Sequence, residues 1–399
     1  MEIFVRFRSL RKKKFLLILG LFLSFQLSPA TSPGEDFFSQ PEKLPQVAVL
    51  LPLSGPFTEL GQVLRSGFEL GFAGPADAGS QTERFSVSYL DSRGDPENCR
   101  ALVELLSSQN HTVLIAGTPL NPTAWTTAKT CEKQGLPFLM VWADQDDLIS
   151  DRSLFSFRLT APRSALKSAL QNLILSQQPA ITKLGIIYSP QPCSRLQARR
   201  LRNYCADLPV DLTIWEAFPE PEKSLADLLD QIEKQQPQLL LLAVSLEKAS
   251  SLWLQKEPLQ TFPRLSVVVS NALEASASIP PSSTNNHFLL YPCPAPTTAT
   301  LNRYPVFTSQ LQAVGYAAAE TIRHVLAHSP DFRPETIIRT LENTSLATAG
   351  GQVSFSAATA DKPGHQNRFS GCFCYNDSQG RQHSYFPPPQ NPKKNQGEH

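Results

Sequence analysis

Apolar residues along this chain fall into short unbroken runs, separated by longer stretches in which they recur every three or four positions. The first run, Val47-Ala48-Val49-Leu50-Leu51, suits a strand of a parallel sheet buried on both faces. After the turn signal Ser54-Gly55-Pro56, residues Leu60, Val63, Leu64, Phe68 and Phe72 mark one face of a helix. Gly67 lies on that face and predicts a close approach of helix to sheet. The alternation continues with strands over 85–90, 112–116 and 138–141, interleaved with helices over 97–106 and 122–133. A second series follows, with helices over 163–175, 194–204 and 225–233 and strands over 184–188, 211–215 and 239–244. Strand and helix in regular succession predict an α/β fold of two similar Rossmann-like lobes, each with a parallel sheet wrapped by helices. Weaker strand patterns occupy 265–269 and 288–291, and helices are expected over 309–328 and 334–341. Toward the end, turn residues at Gly350-Gly351 and Asn376-Asp377 suggest that 353–355 and 369–375 form an antiparallel strand pair.

The pattern at the two ends is different. Arg6, Arg8 and Arg11 to Lys14 precede an apolar run from Phe15 to Leu27 and the small-residue stretch Ser28-Pro29-Ala30. That succession is a secretory signal with cleavage near Ala30, and the run is too short to span a bilayer. No cysteine lies near the cleavage point, so a free protein in a bacterial periplasm is expected. Residues 31–44 read as a flexible leader, and 387–399, rich in Pro, Lys and Gln, as a disordered tail. The formal charge of +1 includes the basic leader, which leaves the body slightly acidic and gives nothing for nucleic acid to bind. Seven cysteines, an odd number, predict small buried apolar side chains with at most one bridge among them.

Signatures of catalysis do not occur. The chain has no phosphate-cradling loop, dinucleotide fingerprint, nucleophile elbow or zincin motif, and no enzyme activity or cofactor is expected. Ser164-x-x-Lys167 and Ser245-x-x-Lys248 lack the companion motifs of serine acyl-transfer enzymes. His324 and His328 stand one helical turn apart but lack a third ligand, and they suit interaction with a helix carboxyl end. In an open parallel sheet, ligands bind at the carboxyl ends of the strands, where loops and helix amino termini present free N–H groups. The loops at 53–58, 118–123, 142–147, 189–194 and 270–273 are therefore the candidates. Taken singly, a Ser or Asn there serves equally as a helix cap or turn residue.

Several of these segments, in order, resemble the leucine/isoleucine/valine-binding protein family. They are residues 47–56 with Gly61 and Gly67, Asp91-Ser-Arg-Gly-Asp-Pro96, Ile115-Ala-Gly117, Gly135-Leu-Pro137, Phe157-Arg158, Phe218-Pro219, Gly315-Tyr-Ala-Ala318 and Gly350-Gly-Gln-Val-Ser-Phe355, and the likeness spans roughly 45–380. The resemblance implies a type I periplasmic-binding fold, in which two lobes joined by three crossovers close on a ligand. It assigns 45–156 plus 290–350 to one lobe, and 157–289 plus 351–386 to the other. It also implies a monomeric, extracytoplasmic solute-binding protein that captures a small polar ligand, an amino acid or amide, for an ABC permease in the inner membrane. The ligand-binding residues it points to are Ser54, Asn121, Thr123, Trp142, Ala143, Asp144 and Asn271. Several of these differ from the family's pattern. Asp144 stands where a neutral hydroxyl would help hold a zwitterion, so a cationic or hydrogen-bond-donating ligand is expected. The opening Leu51-Pro-Leu-Ser-Gly-Pro56 is also similar to the binding-protein-like domain of outer-membrane activators of peptidoglycan synthases, which implies an interaction role as the alternative. Mass spectrometry of protein from its native host should recover a chain that begins just after Ala30; an intact Met1 in the cytosol would overturn the export reading.

Overall fold

A computed structural model of the chain describes residues 44–74, 84–150, 153–177, 179–219, 225–244, 248–249, 251–252, 265–268, 287–291, 310–349, 351–355, 365, 372–376 and 382–385. The expected signal segment and the 387–399 tail lie outside them. Residues Leu44–His399 form one compact unit by their contacts.

Two sheets organise the described residues. The first contains β1 (Gln46–Leu51), β2 (Ser86–Asp91), β3 (Thr112–Gly117), β4 (Phe138–Met140) and β5 (Ser156–Arg158), ordered β2-β1-β3-β4-β5 with every pairing parallel. Between them run α1 (Thr58–Ala73), α2 (Pro96–Ser108) and α3 (Asn121–Gln134). Strand β1 shows why its sequence is an unbroken apolar run. Val47, Val49 and Leu51 face one core with Leu64 and Phe68, while Ala48 and Leu50 face another with Val103, Ile115 and Ala128. Covering both faces with helices requires apolar residues at every position of the strand.

The second sheet contains β6 (Lys183–Tyr188), β7 (Asp211–Ala217), β8 (Leu239–Ala243), β9 (Leu265–Val268), β10 (His287–Tyr291), β13 (Cys372–Asn376) and β14 (Gln382–Tyr385). Its order is β14-β13-β10-β9-β8-β6-β7, with every pairing parallel except those of β13, which runs antiparallel to both β10 and β14. Helices α4 (Arg163–Leu175) and α5 (Pro192–Cys205) cover one face with Leu170, Leu173, Ala198 and Leu201, and α6 (Leu225–Gln235) covers the other with Leu228 and Ile232. Helices α7 (Gln310–His328) and α8 (Pro334–Glu342) return to the first core.

Two expectations are corrected. Gly67 does not serve a helix-to-sheet contact, because its face meets helix α7. A Cβ built on Gly67 would lie 2.2 Å from the Gln312 carbonyl oxygen, and one on Gly315 would lie 2.5 Å from that of Leu64. The two glycines let α1 and α7 pack backbone to backbone. The expected terminal pair also separates: β12 (Gly351–Ser354) forms a two-stranded hairpin with β11 (Ser345–Thr348), whereas β13 pairs with β10 and β14. A Gly-Gly turn joins nearest neighbours in sequence, and Ser345–Thr348 is too short and polar to be recognised as one of them.

At the border of the first core, Phe157 of β5 stacks on the buried His365 ring at 4.0 Å and meets Phe355 edge-on at 5.3 Å. His365 Nε2 lies 2.8 Å from Glu342 Oε1, and its carbonyl accepts the Arg158 N–H. Substituting Gly67→Ala should lower unfolding stability by about 1–3 kcal/mol, because forced separation of the two backbones outweighs the helix propensity gained. Urea unfolding of the two proteins measures the difference.

Candidate ligand-binding site

The carboxyl ends of β1 to β4 lie along one edge of the first sheet, and their loops are held in shape by specific polar contacts. Asp91, the last residue of β2, accepts from the backbone N–H groups of Leu53 (2.8 Å), Ser54 (3.2 Å) and Arg93 (2.9 Å), and from Ser54 Oγ at 2.6 Å. Burial acts to raise its pKa, but these donors outweigh it and hold the carboxyl below the usual value. Ser54 is therefore exposed but tied to its neighbour.

The next two loops are joined by Asn121 at the start of α3. Its side-chain oxygen accepts from the Asp144 N–H at 2.9 Å and the Gln145 N–H at 3.2 Å, and its amide donates to Asp144 Oδ1 at 2.8 Å. Thr123 is buried and donates to the Leu120 carbonyl, and Ala143 is buried as well. Trp142 is half-buried against the first core and holds φ at 76°, a conformation rare for a bulky side chain. Arg93 and Thr118, just past β2 and β3, also have positive φ, at 54° and 51°. Strained backbone thus follows three strands of the first sheet, β2, β3 and β4.

Asp144 does not stand as a bare carboxylate. Arg163 at the start of α4 donates from Nη2 to Oδ1 at 3.1 Å and from Nε to Oδ2 at 3.5 Å, and Arg200 of α5 donates from Nη1 to Oδ2 at 3.4 Å. The Arg163 N–H also donates to the Asp144 carbonyl at 2.7 Å. The sequence led to the expectation of a carboxylate open to a cation, whereas here two guanidiniums already meet its charge. Burial pushes the Asp144 pKa upward, but the Arg200 charge and the bonds from Arg163 and Asn121 outweigh it and leave the carboxyl below its ordinary value. Nearby, Asp146 caps α4 by accepting from Ser164 N–H and Oγ at 3.0 and 2.6 Å. The buried Arg158 guanidinium donates to the Gln145 and Asp146 carbonyls. Burial lowers its pKa to about 10, which leaves it charged at neutral pH.

Sequence reasoning brought Asn121, Thr123, Trp142, Ala143 and Asp144 to one place but missed Asp91, Arg163 and Arg200. Asn271 lies outside the described residues. On α5, Arg195 and Arg199 are exposed one turn apart and line a shallow pocket with Pro190 and Leu196. His324 and His328 sit with rings 4.1 Å apart, and no third metal-ligating side chain joins them among the described residues. Cys99, Cys131 and Cys205 are free, buried thiols, and burial raises Cys99 to about 11 and Cys205 to about 12. No described helix is long and apolar enough to cross a membrane.

The sequence model of the family described as periplasmic binding protein matches residues 45–369. The chain belongs to the periplasmic binding protein family. The family's proteins are extracytoplasmic and bind rather than transform their ligands. Solved structures share the fold. An amino acid ABC transporter substrate-binding protein from Pseudomonas fluorescens Pf-5 aligns with a TM-score of 0.61 at 15% identity, over 87% of this chain and 96% of that one. LivJ from Streptococcus pneumoniae, a branched-chain amino acid transporter substrate binding protein in complex with isoleucine, aligns at 0.57 and 15% identity over 86% and 100%. A solute binding protein of an ABC transporter from Rhodopseudomonas palustris BisB5, in complex with 3,4-dihydroxy benzoic acid, aligns at 0.61 and 13% over 88% and 100%. No curated protein sequence matches the chain.

Because the native Asp144 pKa lies below that of the unfolded chain, the carboxylate contributes stability that is fully present above about pH 3.9 and is lost as pH falls through the depressed native value. Unfolding curves of wild type and Asp144→Asn should therefore differ by a constant amount at neutral pH and converge below about pH 4.

Proposed function

We propose that this periplasmic binding protein captures a small polar solute between its two halves and presents it to an ABC permease. The observation that carries the reading is the convergence of Asp91, Asn121, Trp142 and Asp144 on the carboxyl edge of one parallel sheet, with strained backbone at Arg93, Thr118 and Trp142. Strain of this kind persists where the surrounding structure holds a functional geometry. The two halves, divided near β5, act as the lobes of a hinged trap, and Ser54, Asn121, Thr123, Trp142, Ala143, Asp144 and Asn271 line the ligand's path. Structures of similar fold hold isoleucine and 3,4-dihydroxy benzoic acid, which makes amino acids and aromatic acids the first solutes to test. The protein works as an extracytoplasmic monomer, released in the periplasm after cleavage near Ala30.

A second reading is favoured by one specific contact. Asn121 and Asp144 satisfy each other and Asp144 satisfies two arginines, so the polar groups at the expected site already have partners. A pocket closed on itself in this way suits an interaction protein akin to the activators of peptidoglycan synthases.

Thermal-shift screening of amino acids, amides, polyamines and aromatic acids separates the two. A captured solute present at one hundred times its Kd should stabilise the protein by about 2.7 kcal/mol. Tryptophan fluorescence should report the same solute in wild type and lose most of its response in Trp142→Phe. A screen with no response from any of these solutes would favour the interaction role.

A further inference from the structure

The three charged groups at the junction come from different halves of the protein. Asp144 follows β4 of the first sheet, whereas Arg163 and Arg200 sit on α4 and α5, whose apolar faces belong to the second sheet's core. The ion pairs therefore join one half to the other. They are loosely made. A charge-assisted N–H to carboxylate bond is usually about 2.7–2.9 Å long, and these span 3.1, 3.4 and 3.5 Å. Neither guanidinium has another side-chain partner among the described residues, and each carries more N–H donors than these contacts use. Their side chains are 32% and 36% exposed, against 16% for Asp144, so the guanidinium side chains are more open to solvent than the carboxylate they hold.

Other charges nearby are committed elsewhere. Asp146 caps α4 through Ser164, Asp147 accepts from the Gln145 amide, and the Arg158 guanidinium is spent on two carbonyls. The adjoining turns of α5 add Arg195 and Arg199, both exposed and with no side-chain hydrogen bond or ion pair among the described residues.

We propose that Arg163 and Arg200 form a carboxylate-binding subsite whose resting occupant is Asp144, and that it receives the acid group of an organic-acid solute when the halves close on it. The proposal rests on the solute-capture reading and narrows it to acids. In the solute-free protein the internal carboxylate stands in for the ligand's, which keeps two guanidiniums from facing each other uncompensated. An incoming acid must then exchange with Asp144, and only a group able to bridge both arginines can do so.

Chemical rescue tests this with the full secreted chain. Asp144→Ala removes the internal carboxylate and should lower Tm by about 3 °C or more. Sodium acetate should restore at least half of that loss in a saturable way, whereas acetamide, and sodium chloride at matched ionic strength, should not. In Asp144→Ala combined with Arg200→Gln the acetate effect should vanish. Asp144→Asn, which keeps the shape and its backbone bonds to Asn121, serves if the alanine variant does not fold, and the same acetate-over-acetamide preference is expected there. Equal effects of acetate and acetamide, or an acetate effect that survives loss of Arg200, would overturn the subsite. A wild type that responds to no solute in the screen would count against capture alone, because acetate rescue requires only the two guanidiniums.

Discussion

The segment that follows β4 has to carry polar backbone through the junction between two apolar half-structures, and the rest of the site depends on how that backbone is satisfied. Buried peptide groups without partners are costly, so they recruit side chains from every direction. Asn121 takes the N–H groups of residues 144 and 145 from one side, and Arg158 takes the carbonyls of 145 and 146 from another. Arg158 is itself buried and charged, which is tolerable because its donors point at carbonyl oxygens. With both clamps in place, Trp142 is held at positive φ, Asp144 points toward α4 and α5, and Asp146 reaches the amino end of α4. One desolvation problem thus sets the geometry of the loop, the start of the next helix and the contact between halves.

How much of this the sequence discloses differs by scale. Two-sided strands and one-sided helices leave periodicities that need no knowledge of partners, which is why α4 could be bounded at Arg163 and Leu175 and β1 within one residue. Elements of three or four residues leave such a trace only where they are wholly apolar, as in β4. Strand β5, buried at Ser156, Phe157 and Arg158, is legible only as a short family-like dipeptide, and β11 and β14 not at all. Partner choice is harder still. Nothing near Gly67 announces that the residue it must accommodate is Gln312, and nothing near Asp144 announces Arg200, which lies on a helix with several arginines of similar appearance. Sequence reasoning thus placed Asn121 and Asp144 in neighbouring loops but gave no sign of the two arginines that meet the carboxylate.

The same contrast explains the relatives. At 13–15% identity the fold persists over nearly the whole length of the aligned structures, because apolar pattern and turn chemistry tolerate wide substitution. Ligand preference does not travel with the pattern, since it resides in a few side chains at the strand ends. Here those ends carry an ion-paired carboxylate rather than a neutral hydroxyl. A single substitution of that kind draws in helices from the other half of the protein, and so alters both what the site can hold and what the halves do when it is empty.

The glycine-mediated contact between α1 and α7 has a consequence for the order of folding. The core of the first half contains residues from Val47 to Leu159, but also Leu311, Val314, Ile322, Ile337 and Val353, all five contributed after the chain has passed through the parallel strands of the second sheet. The early α/β segment cannot close its own core when it is made; it must wait, with the face of α1 uncovered, until the chain reaches α7. Closing a loop of that length costs entropy that grows only slowly with its size, but the exposed face is a hazard for as long as the wait lasts. A chain cut short before α7 would therefore leave a nascent half-domain with an open core, a target for chaperones and proteases.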